Sequence, residues 1–208
     1  MHLFYFYYFL GGYLIGSIPF AFLLTKRKHG IDIRQAGSGN VGARNVYEVT
    51  LDKRTGVAVL LLDVLKGAVP VLILVILQFD IDALPWLAFG IVFGHCYPVW
   101  LGWHGGRGLA TAAGIVLAVY PPIFVLWLLA YFLSSKFRPQ VHLNSMIALL
   151  TIAFAMVSLP DAFLTRTSPA NIPPGQMREL VLLIFLVLFS RHLGPVWSYA
   201  RSLKQPKT

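Results

Sequence analysis

Cysteine is nearly absent from this chain of 208 residues. Cys96 stands alone, which excludes an internal disulfide and a thiolate metal cluster. Charge is scarce as well, at 12% of residues, where a soluble domain carries about a quarter. Acidic residues number only eight, and no group of Asp, Glu and His has ligand spacing, so neither a metal nor a cofactor is expected. The first 24 residues hold no Lys, Arg, Asp or Glu at all. Heptads, low-complexity tracts and internal repeats are also missing.

What fills the chain is apolar. Hydrophobic residues make up 57% of it, and mean hydropathy is +0.71. The uncharged N-terminal run is long enough to cross a bilayer. A signal peptide would place basic residues before that run and small residues after it, whereas here Lys26-Arg27-Lys28 follows it, which favours a retained span. The net charge of +9 admits a nucleic-acid reading, but the basic residues sit mostly between apolar runs. Positive-inside topology and anionic headgroups account for that placement, so a membrane and no nucleic acid is expected. The five tryptophans mostly lie near run ends, as interfacial anchors do.

Apolar segments cover Leu3–Leu24, Gly56–Leu77, Leu84–Tyr97, Leu109–Val119, Ile123–Leu133, Ser145–Leu159 and Leu180–Phe189. Tyr120-Pro121-Pro122 either kinks one long helix or turns between two short ones. Charge favours the turn. With seven spans, 14 of the 17 Lys and Arg gather on one face, which the positive-inside bias makes cytoplasmic. A kink would put Lys136, Arg138 and the basic C-terminus on the other side. The expected protein is all-α, a polytopic transmembrane bundle of about seven short spans in one domain, 1–208. Its N-terminus lies outside, and its C-terminus and polar loops are cytoplasmic.

Two glycine-rich loops interrupt the apolar pattern. One is Gly37-Ser38-Gly39-Asn40-Val41-Gly42-Ala43-Arg44-Asn45; the other runs from Gly94-His95 to Gly105-Gly106-Arg107-Gly108. Glycine lets successive backbone N–H groups converge on an anion, and a helix N-terminus adds partial positive charge. His95 titrates in the range useful to a general base. Ser38, flanked by glycine, suits a turn or a phosphate donor better than a nucleophile. Asp63 and Lys66 are three apart inside an apolar run and can pair on one helix face, either as a functional pair or as a structural clasp. Cys96 is expected to be inert packing.

GSGNVGARNV, LLDVLKG and GHCYPVW…GGRGLAT occur in that order, and the combination resembles the bacterial glycerol-3-phosphate acyltransferase family that uses acyl phosphate as donor. The resemblance runs from Gly11 to His192. It implies a multi-pass enzyme of the bacterial inner membrane that makes lysophosphatidic acid at its cytoplasmic face. Its substrates would be acyl phosphate and the sn-1 hydroxyl of glycerol 3-phosphate. The resemblance makes His95 the catalytic histidine and puts Ser38, Asn40 and Asn45 in the first substrate loop. Gly105, Gly106 and Arg107 fall in the second loop, Ser145 in a third, and Arg191-His192 at the start of the final motif. On this reading Ser38 and Asn45 position the acceptor beside His95, while Arg107 and Arg44 neutralise phosphate. The spans form a lipid-open groove for the acyl chain.

Three motifs depart from the family pattern. Arg44 and Glu48 stand where a Thr and an Arg are usual, and four residues apart they are expected to pair. His104 and Arg107 replace lysines. After His192 the family Asn is missing, and Pro195 is expected to interrupt any helix there. Two rival readings keep the same residues: a divergent relative that binds phospholipid or another acceptor, and an anion transporter. Transporters bind near the midplane, whereas both glycine loops fall on one face.

Overall fold

The computed structural model describes residues 2–137, 140–168 and 171–202. All regular structure among these is helical. Arg138 and the last six residues, on which part of the charge argument rested, lie outside the described residues.

The first apolar run is not one helix. α1 (His2–Gly16) stops at Ser17-Ile18-Pro19, and α2 (Phe20–His29) begins after it. Pro19 donates no hydrogen bond and biases the residue before it away from helix, so the expected span Leu3–Leu24 is broken in its last third. α2 ends at Gly30, whose φ of 70° is the left-handed stop glycine tolerates. The first glycine loop leads into α3 (Ala43–Thr50). Asp52 caps α4 (Lys53–Ile76) by accepting from the N–H groups of Arg54 and Thr55, and also pairs with Lys28 at 2.6 Å.

α5 (Leu84–Cys96) carries His95 in its last turn. α6 (Leu109–Val119) and α7 (Pro121–Phe137) are separate helices, because Pro121 opens α7 at a position where its missing N–H costs nothing. α8 (Val141–Ser158) and the short α9 (Asp161–Thr167) precede α10 (Pro174–Ser202). α10 runs through Pro195 without stopping. The expected break there is therefore wrong; the proline only removes the N–H that would bond the Arg191 carbonyl.

Contacts sort the helix ends into two groups. At one end lie Tyr97 with Ser190, Arg191 with Gly105 and Gly106, and His142 against His192. At the other, Tyr120 bonds Thr167, and Arg178 bonds the Met156 and Leu159 carbonyls. Hence α6 runs away from the loop end and α7 returns, as a turn at Tyr120 requires. Five stretches, counting α1 with α2, are long and apolar enough to cross a membrane, and α6 and α7 are shorter. The turn between α6 and α7 puts Lys136, in the last turn of α7, at the loop end.

The middle of the bundle is α5, 67% of whose span window is buried against 28–33% for the other four. Its closest partner is α1, and glycine makes that closeness possible. A Cβ on Gly12 or Gly16 would strike the carbonyl of Leu87 or Ile91, and one on Gly90 or Gly94 the carbonyl of Phe9 or Tyr13. Two small-residue faces with four-residue spacing thus meet backbone to backbone. Gly67 on α4 and Gly114 on α6 form a second seam of the same kind, against Thr111 and Val64.

Candidate active site

The two seams deliver charged groups to one place. His95 follows Gly94 directly, and Lys66 precedes Gly67. Asp63 and Lys66 pair at 2.9 Å with side chains 3–4% exposed, as their spacing predicted. The Lys66 ammonium also donates to the Ile18 carbonyl at 3.0 Å, beside the Phe20 N–H that bonds the same oxygen across the helix break at 3.2 Å. The ammonium meets Asp63 Oδ1 obliquely, so that oxygen keeps acceptor capacity and faces His95 Nδ1 at 3.6 Å. These three side chains line a small cavity with Ser17, Val41 and Gly106. The ionic pair was legible in the sequence; its aim at His95 was not, since 32 residues separate the partners.

The glycine loops differ from the expectation of two amide cradles. The N–H of Gly105 donates to the Cys96 carbonyl at 3.2 Å and that of Gly106 to the His95 carbonyl at 3.1 Å. Both amides are spent closing the end of α5. Their carbonyls accept from Arg191 at 3.0 and 3.1 Å, and that guanidinium also stacks on Tyr97. Glycine is needed here for close approach: a Cβ on Gly106 would strike His95 Nε2 and lie 2.7 Å from the Val41 carbonyl. That contact joins the second loop to the first.

In the first loop the amide cradle survives at α3. Val46 is the first residue there whose N–H finds a backbone acceptor, Gly42, at 3.1 Å, so the N–H groups of Ala43, Arg44 and Asn45 are the unbonded opening of a helix. Asn45 itself is 1% exposed. Its side-chain oxygen accepts from the Ser38 N–H at 2.9 Å, and its amide donates toward the carbonyls of Ile33, Ala36 and Asn40. With both ends occupied, Asn45 shapes the loop. Asn40 packs beside Gly42. Ser38 is exposed, and its hydroxyl makes no hydrogen bond among the described residues, but it does not line the His95 cavity. Arg44 and Glu48 pair at 2.7 Å on the surface, as expected.

Toward α10 the residues are cationic. Arg107 is half-buried and makes no ion pair or hydrogen bond among the described residues. Burial first, then the like charges of Arg191 and Arg44, push its guanidinium below the usual arginine range. His192 is fully buried. Its Nδ1 donates to the Leu188 carbonyl at 2.8 Å, and Nε2 has no hydrogen-bond partner among the described residues. The ring of His142, absent from the sequence-derived site, stands 5.6 Å away with Nδ1 also unpartnered. Ser145 is buried one turn deeper, its hydroxyl turned back onto the Val141 carbonyl. Below this cluster α6, α7, α8 and α10 line an open apolar cavity. Among the described residues no group of His, Cys, Asp and Glu could hold a metal ion.

Comparison with known proteins adds an independent finding. Residues 6–197 match the family described as glycerol-3-phosphate acyltransferase. The chain is 48% identical over 192 residues to the glycerol-3-phosphate acyltransferase of Myxococcus xanthus (strain DK1622), covering 91% of this chain and 93% of that one. It is 41% identical over 150 residues to that of Desulforamulus reducens, covering 72% and 74%. Among solved structures it resembles PlsY (YgiH), an integral membrane glycerol 3-phosphate acyltransferase, in two forms. The glycerol 3-phosphate form gives a TM-score of 0.77 at 33% identity over 98% of this chain and 96% of that one. The lysophosphatidic acid form gives 0.76 at 33% identity, over 95% and 92%.

Proposed function

Because this chain belongs to the glycerol-3-phosphate acyltransferase family, we propose that it transfers a fatty acyl group from acyl phosphate to the sn-1 hydroxyl of glycerol 3-phosphate, releasing lysophosphatidic acid and inorganic phosphate. The observation that carries this reading is Arg107: a guanidinium with no ion pair among the described residues, half-buried beside other cations, suits an arriving anion. The donor phosphate binds there, with His192 and His142 beside it. The acyl chain lies in the apolar cavity beneath. The acceptor phosphate takes the open N-terminus of α3, near Ser38 and Arg44.

The acceptor hydroxyl attacks the acyl carbonyl carbon, and its proton passes to His95 Nε2. Asp63 faces Nδ1 and holds the proton on that nitrogen, which leaves Nε2 free to accept; Lys66 pairs with Asp63 and fixes its carboxylate in place. The C–O bond to phosphate then breaks, and Arg107 carries the charge of the leaving group. One domain spans 1–208, with the loop end facing the cytoplasm of a bacterial inner membrane, in keeping with the 14 basic residues assigned to that side.

The test is purified protein in lipid vesicles, given glycerol 3-phosphate with either palmitoyl phosphate or palmitoyl-CoA and scored for lysophosphatidic acid. Product from the phosphate alone is expected. Product from the thioester alone would overturn the donor assignment, and no product from either would leave a non-catalytic relative.

A further inference from the structure

The apolar cavity has a defined roof, floor and open side. Its roof adjoins the cationic cluster: Leu188, whose carbonyl holds His192, lies at the top, and Leu109 follows Arg107 by two residues. Its floor is Ile123 and Val181, 3% and 6% exposed. From Leu109 to Val116 the α6 wall descends about 10 Å at 1.5 Å per residue. An extended chain advances about 3.5 Å for every three bonds, so that depth takes in roughly nine carbons.

The walls are unequal. On α6 the lining residues Ala112 and Ala113 are small, and α6 cannot retreat because Gly114 on its other side already touches the α4 backbone. On α7 the wall is Trp127, stacked with Phe124 and Tyr131 at 6.4 and 5.4 Å. α6 packs along α4 and α7 along α8, and the two share little contact beyond their turn. The cavity therefore opens between them toward the surrounding lipid. Its continuity with the cationic cluster above identifies the occupant as the tail of a phosphorylated amphiphile.

We infer that this cavity selects donors by the length and shape of the first nine or so acyl carbons, with Ala113 and Trp127 as the specificity-determining residues. The inference rests on the acyl-phosphate reading above. Carbons beyond the floor turn out past Trp127 into the membrane and are not counted.

Ala113 is only half-buried, so a larger side chain there does not overpack the core. Ala113→Phe blocks the cavity about four residues below Leu109. Displacing methylenes from the cavity then lowers kcat/KM for decanoyl and palmitoyl phosphate relative to hexanoyl phosphate, so the long-to-short ratio falls. Trp127→Ala widens the open side and raises the rate with a methyl-branched donor relative to the straight chain. Retained folding is checked by the slow reaction of buried Cys96 with a thiol dye. An unchanged long-to-short ratio in both variants, with wild type active, overturns the inference alone. A wild type that transfers no acyl group from any acyl phosphate removes the underlying reading and the inference with it.

Discussion

Asn45→Ala separates a loop organiser from a substrate ligand. In the structure the Asn45 amide spends its oxygen on the Ser38 N–H and its two hydrogens on the carbonyls of Ile33, Ala36 and Asn40. A neutral buried hydrogen bond contributes about 1 kcal/mol net, so truncation loses about 3 kcal/mol. Ala36 and Asn40 keep other partners, the N–H groups of Gly39 and Gly42, which holds the loss near that figure. By the scaling of soluble domains this size, the melting temperature falls by about 6–12 °C. Asn45→Asp is the sharper case: it keeps the acceptor for Ser38 but turns a carboxylate oxygen toward three carbonyls, and it is expected to be less stable than the alanine variant. Cys96, buried and the sole cysteine, makes thiol-dye reactivity on heating a direct readout of unfolding. An unchanged melting temperature with a raised KM for glycerol 3-phosphate would refute the loop role and return Asn45 to the substrate. So would an Asp variant as stable as wild type.

Three further expectations follow from the site. His95→Ala lowers turnover by about 10²–10⁴, and Asp63→Asn lowers kcat with little change in either KM; near-normal turnover in His95→Ala would end its assignment as base. Arg44→Ala raises the KM for glycerol 3-phosphate if that side chain leaves Glu48 for the phosphate, and Glu48→Arg leaves affinity intact or improves it; since an exposed pair contributes under about 1 kcal/mol, unchanged kinetics in both would place Arg44 outside the site. Single cysteines at Lys136 and His104, in a Cys96→Ala background, are labelled from the same side of the membrane and one at Arg166 from the other; labelling of positions 104 and 136 from opposite sides would contradict the turn at Tyr120.

The sequence and the structure agree where local chemistry decides. Apolar runs marked the helices, and the pairs Arg44–Glu48 and Asp63–Lys66 lay within one helical turn; the turn at Tyr120-Pro121-Pro122 needed the charge pattern to tell it from a kink. Disagreement begins where the partner is far along the chain. Nothing near Gly105 shows that its amide closes α5, or that Arg191, 86 residues later, holds its carbonyl. His142 has no local motif, and only α10 brings His192 against it. The two prolines misled in opposite directions: Pro19 breaks a run that hydropathy joins, while Pro195 sits inside a helix that continues to Ser202. Local propensity cannot distinguish those cases, because neighbouring helices decide whether a freed carbonyl finds a partner. Ile18 finds Lys66.

The glycine seams have a mechanical consequence. Where Gly12, Gly16, Gly90 and Gly94 let two backbones touch, α1 cannot slide along α5 by a fraction of a turn, because each Cα sits against a carbonyl with no side chain between to yield. The next allowed register is a full helical pitch away, about 5.4 Å. Bilayer tension or a change in membrane thickness therefore tilts the pair as a unit and does not shear it. Gly94 and Gly67 tie His95 and Lys66 to these seams, so the spacing of the buried triad is insulated from the lipid in which the enzyme happens to lie.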